Sequence, residues 1–260
     1  MITHLRPDQQ LGSDPTLLGQ ELSHIIHDRL INHPRGLQTA IGPSELGMTC
    51  TRKLGQRLAG TPKVNNVPAW RTAVGTATHD WLAQTFTAYN ATAVAQGNPP
   101  RWLVETRVVV GTVAGAEISG SADLFDRVTG TVIDWKIVGN TSLRAARMRG
   151  PKPQYRSQVH CYARGFASAG HTVERVAIMW LPSAGDLSAA EFWSEDYSET
   201  VALEALSRAD GLARALAAAG PDLIIPALPR SEDYCESCPF HAPGADEASP
   251  VLCSGPHPHR

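Results

Sequence analysis

The sequence predicts an α/β fold, a mixed sheet flanked by helices, and three observations lead there. Between Arg101 and Gly139, three segments rich in β-formers follow one another, parted by glycine-containing turns. Before that stretch, apolar residues recur at helical spacing over long segments. After it, a helical segment, two more β-rich segments and a last helix alternate, the order of one sheet covered by helices within one domain. N-terminal helices and a cysteine-bearing C-terminal tail frame that domain.

Taken in order, "PTLLGQELSHIIHDRLINH" places Leu17, Leu18, Leu22, Ile25, Ile26 and Leu30 at the spacing of an amphipathic helix. "GPSELGMTCTRKLGQRLAG" predicts a second helix with Ser44 as N-cap, Gly60 as its end and Cys50 inside it. "AWRTAVGTATHDWLAQTFTAYNATAVA" predicts a long third helix carrying His79. The strands are "RWLVETRVVVG", "AEISGSADLFDRV" and "TVIDWKIVG", with Asp123 closing the strand-like part of the second. "TSLRAARMRGPKPQYRSQVHCYARGFASAG" returns to helix, broken at Gly150-Pro151. "TVERVAIMWLP" and "AAEFWSEDY" are strands, and "SETVALEALSRADGLARALAAAG" is a helix. From Pro221 the chain is rich in Pro, Gly and Ser and is expected to be irregular.

Composition narrows the function. With 42% hydrophobic and 18% charged residues, 260 residues suffice for one large domain with a core. The absence of an apolar run of about 18 residues predicts no transmembrane helix. "MITHLRPDQQLGSDP" lacks the apolar centre of a signal peptide, so a cytoplasmic protein is expected. A net charge of −2 excludes a chain that is basic all over, but a local basic groove suffices to hold a phosphate backbone. Neither GxxxxGK[ST] nor GxGxxG occurs, which excludes an intrinsic ATP-driven motor.

Chemistry concentrates in "GTVIDWKIVGN". Asp134 and Lys136 alternate with Ile133, Trp135 and Ile137 and so share one face of a strand bound for the interior. Two buried charges there need each other or a ligand. A tight turn at Val128-Thr129-Gly130 folds Asp123 back towards Asp134, and antiparallel pairing sets the two carboxylates close together. They repel unless a cation lies between them, and oxygen ligands suit Mg²⁺ or Mn²⁺. Lys136 on the same face stands ready for a phosphate or an attacking water, the logic of metal-assisted phosphodiester hydrolysis.

Asp123…Asp134-Trp135-Lys136 resembles the core of the PD-(D/E)XK nuclease superfamily. "GTATH", Gly75 to His79, resembles the GxxxH motif of its RecB-like exonuclease branch, and "QVHCY", Gln158 to Tyr162, its QxxxY motif. Glu105 in "WLVETRVVV" falls where related nucleases carry an acid before the core hairpin. The resemblance implies a DNA exonuclease working on single-stranded ends. His79, Asp123, Asp134 and the Trp135 backbone carbonyl would bind Mg²⁺ or Mn²⁺. Lys136 would stabilise the transition state, with Gln158 and Tyr162 organising the site. A helicase, recombinase or integrase partner fits such an enzyme, in phage recombination, repair or CRISPR adaptation. A non-catalytic DNA-end-binding adaptor and a structure-specific endonuclease are the alternatives. The restriction-endonuclease-like nuclease core spans 41–225, behind a tail and helix at 1–40.

Five cysteines do not form a disulfide framework in a cytosolic chain, and three of them crowd the last 26 residues. Cys235-Glu236-Ser237-Cys238 is a CxxC turn that aims two thiolates at one centre. Cys50, Cys235, Cys238 and Cys253 resemble the ligands of a 4Fe–4S cluster in a RecB-like subgroup that includes the nuclease domain of AddB. There the cluster ties the chain end, here 226–260, back onto the region of Cys50. The spacer before Cys253 is longer than the family's, through "FHAPGADEASPVL". Structural Zn²⁺ is the alternative, with His241, His257 or His259 replacing a thiolate. Cys161, among apolar residues, reads as a buried small hydrophobe.

Arg144, Arg147, Arg149, Lys152 and Arg156 occur without an intervening acid directly after the Asp134 strand, a placement suited to phosphates. Trp70, Trp81, Tyr89 and Trp102 suit stacking on the bases of a single strand, but aromatics at such spacing more often belong to a core, and no role is assigned to them.

Overall fold

The computed structural model describes residues 15–31, 41–65, 70–231 and 235–255. His257 and His259 lie outside them. The helices are α1 (Pro15–Ile31), α2 (Pro43–Leu46), α3 (Thr51–Leu58), α4 (Trp70–Ala95), α5 (Asn140–Arg149), α6 (Pro153–Ser168), α7 (Glu199–Ala219) and α8 (Pro221–Ala227). The strands are β1 (Trp102–Val113), β2 (Ala116–Asp126), β3 (Thr131–Val138), β4 (Arg175–Pro182) and β5 (Glu191–Asp196). They form one mixed sheet in the order β1-β2-β3-β4-β5, in which only β3 and β4 run parallel. The expected α/β sheet flanked by helices is what the chain forms. A parallel pair needs a crossover, and α5 and α6 supply it, broken at Gly150-Pro151 where the helical period stops.

The β2–β3 hairpin is closed by chemistry local to its turn. Asp126 accepts the Val128 N–H and the Thr129 hydroxyl, and Gly130 takes φ +64°. A Cβ on Gly130 would stand 2.9 Å from the Thr172 carbonyl oxygen, so the turn requires glycine twice over. Arg101 clamps the same carboxylate at 2.7 and 2.6 Å.

Each face of the sheet carries its own core, divided by the two-residue period. Val132 and Ile178 face the larger one with Val159, Phe166, Leu206 and Leu212 of α6 and α7. Ile133 and Trp135 face the smaller one with Leu82 and Phe86 of α4. Cys161 is fully buried, which pushes its thiol up to about 12 and leaves it inert.

Four expectations are corrected. The single helix across 44–60 is two, because Gly47 breaks it where the chain presses on α6; a Cβ there would lie 2.7 Å from that of Ser157. Cys50 is therefore the N-cap of α3, its sulfur accepting the Lys53 N–H at 3.5 Å. The strand carrying Asp123 continues to Asp126, because Arg101 and the turn hold its end. The segment after Pro221 begins as helix α8, with Pro221 at its first turn, where no N–H is needed, and Ile225 fully buried. Trp70, Trp81 and Tyr89 are exposed on α4, and only Trp102 packs inward, against Phe86.

Candidate active site

β3 is the middle strand, so any polar side chain at its centre is forced below the surface. Asp134 is 1% exposed, and Lys136 sits beside it with Nζ 2.6 Å from Asp134 Oδ2. Gln158, one turn along α6 from Tyr155, bridges the pair: its Nε2 donates to Asp134 Oδ1 at 3.0 Å and its Oε1 accepts from Lys136 Nζ at 2.9 Å. Lys136 Nζ also stands 4.6 Å from the centre of the Tyr155 ring. Tyr162 follows Gln158 on the same helical face and is buried against the site, which raises its hydroxyl pKa. Burial pushes the Asp134 carboxyl up to about 6, with Lys136 opposing that and Asp123 adding to it. For Lys136, burial lowers the pKa, but the Asp134 carboxylate outweighs it and holds the ammonium charged.

A second group adjoins this one. His79 Nδ1 lies 3.3 Å from Asp123 Oδ1, and Asp123 Oδ2 accepts the Trp135 N–H at 2.8 Å. The Trp135 carbonyl therefore points to the same edge of β3, since N–H and C=O of one extended residue lie on one side. Burial would lower the pKa of His79, but the hydrogen bond and charge of Asp123 more than offset it. Glu105 completes the group: among the described residues, His79, Glu105 and Asp123 are the trio whose ligand atoms all lie within 4.8 Å. Glu105 stands opposite Asp123 in the β1–β2 register, at a step where the pairing is skipped, and its φ is +44°. A non-glycine residue in that region is strained, and Ser121 holds its carboxylate through a 2.6 Å hydrogen bond. The one sequence signal for Glu105 was its place ahead of the hairpin; the strained φ that sets it beside His79 and Asp123 is legible only in the backbone.

His79 and Asp123 open with Asp134, Lys136 and Gln158 into one cleft of about 710 Å³, while Glu105 is exposed and does not line it. α4 contributes His79 and Gly75, β2 and β3 contribute Asp123, Asp134 and Lys136, and α6 contributes Tyr155, Gln158 and Tyr162. The opposite wall comes from α3 and its flanks, with Lys53, Arg57 and Lys63, and from Ser237 and Pro239. None of Arg144, Arg147, Arg149, Lys152 and Arg156 lines the cleft. Arg147 pairs with Glu191 and Arg156 with Glu195, while Arg144 and Arg149 are exposed on α5.

Cys50, Cys235, Cys238 and Cys253 line a separate small cavity together with His241, Lys53 and Arg230. All four are free thiols. Burial raises the pKa of Cys238 and of Cys235, and the neighbouring cysteines add to the rise at Cys235. The long spacer before Cys253 wraps α3: Arg52, 1% exposed, donates to the carbonyls of Pro226, Glu247, Ser249 and Leu252, and Gln56 to those of Pro250 and Val251. Asn65 Nδ2 donates to the carbonyls of Glu236 and Cys238 and so holds the CxxC turn from the other side.

No described helix is long and apolar enough to cross a membrane. No family model and no curated protein matches the sequence. Among solved structures, the chain is similar to an alkaline exonuclease from Laribacter hongkongensis, LHK-Exo (13% identity, TM-score 0.43), and to LHK-Exo in complex with dAMP (14%, 0.41). Each alignment covers 75% of this chain and 93% of the other.

Proposed function

We propose that the chain is a deoxyribonuclease dependent on Mg²⁺ or Mn²⁺, cutting phosphodiester bonds at single-stranded DNA ends. The observation that carries this reading is the pair of groups at the cleft: a His79–Glu105–Asp123 trio beside the buried Asp134–Lys136–Gln158 triangle. The donors fit a hard cation, being carboxylate oxygens with one imidazole. Asp134 Oδ2 fits it too, because it is buried and lacks a well-aligned hydrogen bond despite the nearby ammonium. His79, Glu105, Asp123, Asp134 and the Trp135 carbonyl would hold the ion, which supplies Lewis acidity towards the phosphate. Lys136 carries its positive charge at a fixed atom beside the site, where negative charge develops on a phosphate under attack. Gln158 keeps that ammonium oriented, and Tyr162 backs Gln158 against the core. On this reading a helicase, recombinase or integrase supplies the single strands, in the cytoplasm.

For the cysteine centre we favour a 4Fe–4S cluster over zinc. Cys50, Cys235, Cys238 and Cys253 line one cavity, and an all-thiolate set of four is what such a cluster takes.

The test is incubation of purified protein with Mn²⁺ and end-labelled single strands, alongside Asp134→Asn and Lys136→Met. Mononucleotide release by the wild type alone is expected. Intact strands, or variants as active as the wild type, overturn the assignment, and strand binding without cleavage favours an adaptor. A nicked-circle substrate cut internally points instead to an endonuclease.

A further inference from the structure

We infer that the strand is gripped by a basic wall on the cysteine side of the cleft, Lys53 and Lys63 with Arg57, and not by the arginines of α5. The inference rests on the proposed nucleic-acid substrate and names the surface that binds it. Besides Lys136 at the reactive acids, the cleft is lined by a second set of cations on α3 and the segment after it. Asp123 and Asp134 line it from β2 and β3, while Lys53, Arg57 and Lys63 line it from α3 and the segment that follows. A phosphodiester backbone laid between them meets cations behind and the reactive acids in front, an orientation that a uniformly basic groove would not impose.

The wall is held in place by several bonds. Cys50 caps α3 through the Lys53 N–H, and the Lys53 side chain borders both the cysteine cavity and the cleft. Lys63 lies in the segment whose next residues, Val64 and Asn65, donate their N–H groups to the Pro239 carbonyl. Arg57 is anchored by Glu45 at 2.6 Å and stands with Lys53 and Lys63 in the lining. Burial and the Arg57 guanidinium lower the pKa of Lys63, with Glu45 offsetting part of that, so an added phosphate would favour its charged form. Arg144, Arg147 and Arg149 of α5, Lys152 at the N-cap of α6 and Arg156 within α6 do not line the cleft, and Arg147 and Arg156 pair with acids of β5.

The experiment measures binding of a fluorescein-labelled oligothymidylate by anisotropy as a function of salt, in EDTA so that no cleavage intervenes. Each phosphate neutralised on a single strand contributes about 0.7 to the slope of log K against log salt. Lys53→Gln/Lys63→Gln should flatten the slope by about 1.4, weakening binding most at low salt. Lys53→Arg/Lys63→Arg should keep the wild-type slope, which separates lost charge from lost fold, and Arg144→Gln/Arg149→Gln should leave it unchanged. An unaltered slope in the glutamine variant, or a loss confined to the α5 variant, overturns the wall. Binding with the expected slopes but no cleavage under Mn²⁺ sinks the nuclease reading and leaves the wall standing.

Discussion

Lys136 Nζ lies 2.6 Å from Asp134 Oδ2, two residues apart on the central strand, and Gln158 bonds to both. The ammonium occupies the side of the carboxylate that a cation would use. Without metal, Lys136 thus substitutes for the ion as the counter-charge of Asp134, which keeps a charged floor tolerable in an otherwise apolar strand.

Asp134→Asn keeps the shape and Gln158's neighbourhood but removes the charge of a proposed ligand. Activity should drop by more than the roughly 100-fold typical of residues that merely support a ligand, and the Mn²⁺ midpoint should rise. Because burial raises the Asp134 carboxyl to about 6, the wild type should bind Mn²⁺ less tightly as pH falls through that value. Calorimetric Mn²⁺ titrations at several pH values check this; a flat profile between pH 5 and 7 contradicts it.

Tyr155 should position Lys136 once the carboxylate turns to a metal, since its ring, 4.6 Å away, is an electron-rich surface that no cation displaces. Tyr155→Phe keeps the ring and should retain activity. Tyr155→Leu should lower kcat about tenfold with little change in KM, the split expected when a transition-state contact is misplaced. Equal loss in both variants would assign the role to the hydroxyl instead.

Asp126 makes an acid-stability prediction away from the site. Burial opposes its ionisation, but Arg101, Thr129 and the Val128 N–H outweigh that and hold the carboxyl at about 2, below its ordinary 3.8. A depressed folded pKa gives stability that is fully present above 3.8 and is lost as pH falls towards 2, worth about 2 kcal/mol. Asp126→Asn should lose that amount at neutral pH and lose no more through the acid window, as read from urea unfolding at pH 7 and pH 3.

The residue periods made the strands, the long α4 and the helix carrying Gln158 and Tyr162 legible, because each rests on local pattern. The alternation in β3 likewise put Asp134 and Lys136 on one face. Three features were not legible, and each depends on contacts distant in sequence or on backbone strain. Glu105 turns towards His79 only because pairing with Asp123 is skipped. The α3 wall needs the CxxC turn from the far end of the chain to hold it. Gly47, the break between α2 and α3, looks like any glycine until α6 lies against it.

Arg52 marks the sharpest test of how the tail is fastened. Its guanidinium, buried between α3 and the last turns, donates to four backbone carbonyls spread from Pro226 to Leu252. Those carbonyls point inward because the fork is there to receive them, and without it they are buried acceptors with no donor. Arg52→Met should therefore cost about 3 kcal/mol or more, well beyond a lost surface contact. Arg52→Lys should not restore it, since one ammonium cannot spread donors across the same fan of oxygens. Thermal melts give the stability. Limited proteolysis gives the location: cleavage between 241 and 255 in both variants, ahead of the sheet, is expected. Visible absorbance and metal content of the same preparations report whether the group proposed at Cys50 and Cys253 is retained. A variant that melts like the wild type and keeps its bound metal would show the tail fastened by the cysteines alone.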